Sequence, residues 1–126
     1  MTDSALPTDI QDLISKHIDS IAHLEALLLL WRNPEVSWDF ASLSKRLYIN
    51  EKDARAILER LLTRGFAVES GGIFRYQSSL DVADVMVNRL SSFYATHLIL
   101  ITNLIHAKPS RRIQQFADAF NLRKDK

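Results

Sequence analysis

Cysteine is absent from the 126 residues of this chain, and there are only three glycines and three prolines. Without cysteine the chain forms no disulfide and no thiolate metal site, which fits a reducing cytoplasm. Three glycines are too few for a glycine-rich phosphate-binding loop, and the nucleophile motif G-x-S-x-G does not occur. We therefore expect a protein that is not an enzyme and carries no cofactor.

Long hydrophobic runs are missing as well. The most apolar stretches, residues 26–31 and 98–101, are far shorter than the ~20 residues that span a bilayer. The beginning of the chain, MTDSALPTD, is polar and acidic, which is not typical of a signal peptide. These features predict a cytoplasmic protein with no membrane partner.

Histidine is the remaining common metal ligand, and the chain has four. No two of them lie four residues apart on one predicted helix, so we expect no metal site. His97 falls in an apolar stretch, where we expect a packed side chain with one hydrogen bond. A pH-sensing role is the alternative, because a charge would be costly there.

Neither sign of charge is in large excess, since the net charge is +1. The charges are unevenly placed: residues 1–38 carry six acidic and two basic residues, whereas residues 106–126 carry six basic and two acidic ones. A nucleic-acid-binding protein usually has a basic surface. Here that surface is modest and is concentrated near the C-terminal end.

The segment 39–65, DFASLSKRLYINEKDARAILERLLTRG, predicts two short helices joined by a tight turn. Asp39 is placed to cap the first helix, Asn50 to cap the second, and Gly65 to end it. The spacing of the apolar residues gives each helix one buried face. For the second helix we expect that face to contain Ala54, Ile57, Leu58, Leu61 and Leu62.

A β-hairpin is predicted directly after this segment. Residues 66–70 and 73–77 have the composition of strands, and Gly71 and Gly72 supply the two positive-φ residues of a two-residue turn. Residues 36–38 are a candidate short strand that pairs with the hairpin. The fold class predicted from these elements is mainly α with a small β-hairpin.

The order helix, turn, helix, hairpin resembles that of bacterial winged helix-turn-helix transcriptional regulators of the MarR, ArsR or PadR type. The resemblance covers roughly residues 20–77 and rests on this order and on the phrase LSKRLYINEKDARAILERLLTRGFAV. The phrase KPSRRIQQFADAFNLRK is similar to one in small uncharacterised bacterial winged-helix proteins, and it implies no function. We expect a winged-helix domain at 1–78 and a dimerisation element at 79–126.

Helices are predicted on both sides of this unit. A first helix at 9–18 is capped by Thr8, and a second runs from a cap at Asp19 or Ser20 to near Trp31. The second helix is apolar nearly all round, so we expect it to be covered on more than one side.

A long helix is predicted at 79–107, with Ser78 and Asp81 as its capping box, because no glycine or proline interrupts it. A short helix at 111–120 follows. The long helix carries two apolar stripes, of which one covers the core and the other needs a partner. We therefore expect a homodimer whose interface contains Phe93, His97, Leu100, Ile101 and Leu104.

The resemblance implies that the second helix of the helix-turn-helix enters the major groove of double-stranded DNA. Two acidic residues in its first turn, Glu51 and Asp53, oppose phosphate binding, although they also suit the helix dipole. The residues expected to contact DNA are Lys45, Arg46, Lys52, Arg55, Arg60 and Arg75.

Two other functions stay open at this point, besides a DNA-binding regulator. One is a winged-helix adaptor that binds a protein partner and no DNA. The other is a ligand sensor with a pocket between the long helix and the core. The dimer has its own alternative, in which residues 111–120 fold back and cover the second stripe within one chain.

Overall fold

The structure is a computed structural model that describes residues 6–77 and 81–107. As the sequence predicts, these residues form a mainly helical fold with a small two-stranded antiparallel sheet. The predicted helix at 111–120 and the Ser78 cap lie outside the described residues. The elements are α1 (Thr8–His17), α2 (Ile21–Arg32), α3 (Phe40–Leu47), α4 (Glu51–Thr63), β1 (Ala67–Ser70), β2 (Ile73–Tyr76), α5 (Asp81–Thr96) and α6 (Leu98–His106).

The caps of the first two helices are settled by single hydrogen bonds. Thr8 is the first residue of α1 and not its cap, because the carbonyl of Pro7 already accepts the N–H groups of the first turn. Ser20, one of the two predicted candidates, caps α2, since its hydroxyl accepts the N–H of His23 at 3.0 Å. Neither α1 nor any other described helix is long and apolar enough to cross a lipid bilayer.

Helix α2 is the centre of the fold. It contacts α3, α4 and β2, and it also contacts α5. The five consecutive residues Ala26 to Leu30 are buried on every side of the helix, whereas Ile21, Ala22 and Trp31 at its ends are partly buried, which confirms the expectation that α2 is covered on more than one side. Burial of a leucine side chain stabilises a fold by roughly 1.5–3 kcal/mol, so this helix supplies much of the core energy. The buried residues of α2 are His23, Leu24, Ala26, Leu27, Leu28, Leu29 and Leu30.

The predicted α3–turn–α4–hairpin order is present, and its local signals are confirmed. The Asp39 carboxylate accepts the N–H of Ser42 at 2.7 Å, and the Ser42 hydroxyl accepts the N–H of Asp39 in return. Gly71 and Gly72 have φ values of 59° and 84°, as a two-residue turn of this type requires. The candidate strand at 36–38 is reduced to one bridge, in which Trp38 exchanges two backbone hydrogen bonds with Phe74.

The predicted single helix at 79–107 is wrong in one respect, because two helices, α5 and α6, occupy this stretch. The break is at His97, whose φ and ψ are −125° and 41°. Thr96 promotes it, since its hydroxyl lies 2.7 Å from the ring Nδ1 of His97 and 3.4 Å from the carbonyl oxygens of Ser92 and Phe93. Such side-chain bonds compete with the helical backbone pattern.

Packing is the larger cause of the break. Helix α6 contacts α1 as well as α5, and Ile101 and Ile105 are fully buried. A straight continuation of α5 would present these two side chains elsewhere. The break therefore brings Ile101 and Ile105, two residues of the predicted apolar stripes, into the core. It leaves Leu98, Ile99 and Leu100 exposed at the beginning of α6.

Tyr94 on α5 ties this half of the fold to α2, because its hydroxyl donates a 2.6 Å hydrogen bond to the Glu25 carboxylate. Partial burial and this bond raise the pKa of Tyr94 from 10.0 to about 12. Folding thus favours the protonated phenol. The stability that the protonated Tyr94 contributes is fully present below pH 10.0 and is lost as the pH rises from there to about 12.

We therefore expect Tyr94→Phe to unfold at lower urea concentration than the parent near neutral pH, and the difference to vanish by about pH 12. Urea titrations followed by circular dichroism across this range measure both. Tyr48→Phe is the matched control, because the Tyr48 side chain is exposed and should show no difference. A gap between parent and Tyr94→Phe that widens above pH 10.0 would contradict the expectation.

Candidate nucleic-acid interface

Helix α4 is held by its cap and by its buried face. The Asn50 side-chain oxygen accepts the N–H of Asp53 at 2.7 Å, as expected for the cap. Four of the five residues expected on the inner face are buried, whereas Leu62 is 38% exposed because it lies at the edge of that face. The opposite face is open to solvent. Its exposed residues include Lys52, Arg55, Ala56, Glu59, Arg60 and Thr63.

Three of the expected DNA-contacting residues lie around the turn between α3 and α4. Lys45 and Arg46 are in the last turn of α3, and Lys52 is in the first turn of α4. All three are exposed, and none forms an ion pair with another residue of the described ranges. We call these three residues the basic turn. Their charges are available to a phosphate without breaking an internal contact.

Arg55 is placed one turn further along α4, but it is engaged within the chain. Its Nε donates to the Glu59 carboxylate at 3.3 Å, and its guanidinium lies 5.7 Å from the centre of the Phe40 ring. Both partners are close to the protein surface, so the pair contributes at most about 1 kcal/mol. Arg55 therefore contacts a phosphate only after it releases Glu59.

Arg60 points away from the turn, to the junction of α1 and α2. Its guanidinium lies 2.6 Å from the Asp19 carboxylate, which Arg64 also approaches at 3.4 Å. Arg64 in addition donates to the carbonyl of His17. This clamp fixes the C-terminal half of α4 to the N-terminal helices. Local spacing predicts Asp19 only as a candidate helix cap, because its two arginine partners lie more than 40 residues further along the chain.

Arg75 is exposed on β2, opposite Val68 of β1, and belongs to the hairpin and not to the basic turn. The acidic residues Glu51 and Asp53 are exposed in the first turn of α4, so they lower the positive potential beside Lys52. The expected DNA-contacting set is thus divided into a free group at the turn, two paired arginines on α4 and one arginine on the hairpin.

The expected dimer residues do not share one environment. Ile101 is fully buried within the chain, against the core that α1 and α5 help to form, so its side chain is not available to a second copy in this conformation. Phe93 and His97 are half-buried and pack edge to face, with ring centres 5.5 Å apart. Leu104 is also half-buried, and Leu100 is 40% exposed.

Between α6 and the N-terminal part of the described chain, where a ligand sensor would hold its ligand, lies a shallow groove. It has a volume of about 230 Å³ and is lined by Leu6, Gln11, Leu100 and Leu104. Ligand pockets usually measure about 300–1,000 Å³ and enclose most of the ligand. Within residues 6–77 and 81–107, no cluster of three or more histidine or acidic side chains is arranged to hold a metal ion.

The basic turn is therefore the best-defined candidate site in the described part of the chain. Its basic residues come from α3 and α4, which are held in place by their caps and by their buried side chains. It adjoins the beginning of the exposed face of α4. Comparisons of this chain with protein families, with curated proteins and with solved structures found no match.

Proposed function

We propose that this protein is a winged helix-turn-helix regulator of transcription that binds double-stranded DNA as a homodimer in the bacterial cytoplasm. The basic turn is the observation that supports it most directly. Lys45, Arg46 and Lys52 surround the beginning of α4 with positive charge that forms no ion pair within the described residues. In helix-turn-helix proteins the first residues of the second helix meet the base edges, and flanking basic residues grip phosphates.

In this proposal α4 and the basic turn supply most of the DNA contact. The hairpin turn consists only of Gly71 and Gly72, so little chain extends beyond the strands toward a minor groove. Arg75 adds one positive charge from the hairpin. Affinity then depends mainly on phosphate neutralisation at the turn, which makes it strongly dependent on salt concentration.

Dimerisation is proposed to use the beginning of α6. Leu98, Ile99 and Leu100 are consecutive and are 52%, 75% and 40% exposed. Phe93 in the last turn of α5 and His97 at the break between α5 and α6 precede them in the chain. Two-fold pairing of this surface lets each copy cover the other, which removes apolar area from water. It also provides two copies of α4 for a palindromic site.

The DNA proposal is tested by fluorescence polarisation with a labelled duplex of random sequence at several salt concentrations. Three phosphate contacts per copy, six per dimer, predict that log K falls with log salt with a slope of roughly −5. A monomer with the same contacts gives a slope of roughly −3. No binding at the lowest salt concentration would refute the proposed function.

The homodimer is tested separately by light scattering at micromolar concentration. We expect twice the mass of one chain, reduced to one chain in Leu100→Asp, because a carboxylate in an apolar interface is costly. Leu62→Asp is the control, since Leu62 is comparably exposed at 38% but lies on α4. A parent protein with the mass of a single chain would contradict the homodimer.

A protein-binding adaptor is the second candidate. It is favoured by the internal ion pairs on α4, where Arg55 is bound to Glu59 and Arg60 to Asp19. These pairs leave the middle of α4 with little net positive charge for phosphates. The adaptor becomes the preferred function if the polarisation titration shows no DNA binding while the fold remains intact by circular dichroism.

A further inference from the structure

Tyr48, in the turn between α3 and α4, combines two unfavourable features. Its side chain is 94% exposed, and its backbone is left-handed, with φ 57° and ψ 44°. Among residues 6–77 and 81–107 it is the only residue other than glycine with a positive φ. A bulky residue in this conformation is uncommon, and glycine usually occupies this position at the end of a helix.

Against the part of the chain that the structure describes, the Tyr48 side chain is almost fully exposed and contributes little packing. The turn is held by Ser44, whose carbonyl accepts the N–H groups of Tyr48 and Ile49 and whose hydroxyl donates to the Ile49 carbonyl at 2.6 Å. These contacts involve only the backbone of Tyr48, so glycine would make them equally well. An aromatic ring kept in water on a strained backbone points to a use outside the chain.

We propose that Tyr48 is a DNA-contacting residue, which packs its ring on the sugar–phosphate backbone and donates its hydroxyl to a phosphate oxygen. This inference rests on the proposed function. Tyr48 immediately follows α3 and lies three residues before the first residue of α4, so it would meet the wall of the groove that α4 enters. Tyrosine hydroxyls are among the groups that bind phosphates and set the register of a protein on DNA.

The surroundings of Tyr48 favour DNA over a protein partner. Lys45 lies one helical turn before it, Arg46 is adjacent to Lys45, and Lys52 follows in the first turn of α4. A tyrosine that anchors a protein interface is usually surrounded by other buried apolar contacts. The other exposed large apolar side chains of the described residues are on α4, the hairpin, α5 and α6, and not at this turn.

The test compares Tyr48→Gly with the parent in thermal unfolding and in DNA titration. Because glycine relieves the left-handed strain, we expect the melting temperature to stay the same or to rise by up to about 5 °C. DNA affinity should nevertheless fall about tenfold on every duplex sequence, as expected for the loss of one hydrogen bond to a charged group. A structural role would instead lower stability and affinity together.

Two further variants separate the contributions of ring, hydroxyl and charge. Tyr48→Phe keeps the ring and should show most of the tenfold loss expected for Tyr48→Gly, because only the hydroxyl donates to the phosphate. Both Tyr48 variants remove no charge, so the slope of log K against log salt should be unchanged. Lys52→Ala is the contrasting control, and its slope should decrease in magnitude by about 1 for each copy bound.

Each result decides the inference. A stable Tyr48→Gly protein with weakened binding and an unchanged salt slope supports it. If the parent binds DNA and Tyr48→Gly binds equally well, the Tyr48 contact is overturned, the DNA proposal stands, and a protein partner becomes the occupant of this surface. If the parent binds no DNA, both proposals are overturned.

Discussion

Replacement of Lys45, Arg46 and Lys52 together by alanine will abolish most DNA binding. Each phosphate contact contributes about 0.9 log units of affinity at 0.1 M salt relative to 1 M. Three contacts then correspond to a loss of roughly 500-fold at 0.1 M salt for each copy bound, and the magnitude of the salt slope falls by about 3 for each copy. The polarisation titration described above measures both quantities on one duplex.

A control of equal charge makes this result specific. The three basic-turn residues are exposed and have no ion pair within the described ranges, so the melting temperature should hardly change. The control variant removes three basic residues from α1, α2 and α5 and should retain most of its affinity. A comparable loss in both variants would mean that net charge alone, and not the turn, governs binding. The control residues are Lys16, Arg32 and Arg89.

Ile101→Ala will lower the free energy of unfolding by about 2–5 kcal/mol, the usual cost of emptying a fully buried aliphatic site. Its side chain is covered within one chain, so the loss should be the same at every protein concentration. Urea unfolding at two concentrations that differ about tenfold measures this. Leu98→Ala, at a position that is 52% exposed, is the matched control and should change the stability of the single chain by less than about 0.5 kcal/mol.

The comparison distinguishes the two arrangements of the C-terminal half. In an unbroken helix that pairs with a second copy, Ile101 would contribute through the interface. Its replacement would then matter only at concentrations where the dimer forms. If the stability lost in Ile101→Ala depends on protein concentration, the packing of α6 onto α1 is contradicted. If only Leu98→Ala shows a concentration-dependent loss of stability, the interface begins at Leu98.

Short-range features of this fold were predictable because their causes lie within a few residues. Asp39 bonds to the N–H three residues ahead, Asn50 does the same for α4, and Gly71 and Gly72 accept positive φ without steric cost. The burial of α2 was predictable from composition alone, because a helix that is apolar on every side must be covered on every side.

The predictions failed or were incomplete where distant parts of the chain meet. Two apolar stripes were visible in residues 79–107, but periodicity does not state which stripe the core will cover. Because α6 packs on α1, Ile101 is buried and Leu98 is exposed, and this packing requires the break at His97. The ion pair of Arg60 with Asp19, which is distant in sequence, was likewise not predictable from local spacing, and the contact of Arg60 with DNA stays a prediction.

The sequence by itself determined the order of the elements from α1 to β2, the caps of α3 and α4, the hairpin turn and the burial of α2. Hydrogen bonds between near neighbours and the apolarity of one segment were sufficient for that. Only the tertiary structure decided which basic residues remain unpaired, how α6 packs, and that Tyr48 stands exposed on a left-handed backbone. These outcomes depend on contacts between segments far apart in the chain, which the spacing of neighbouring residues does not predict.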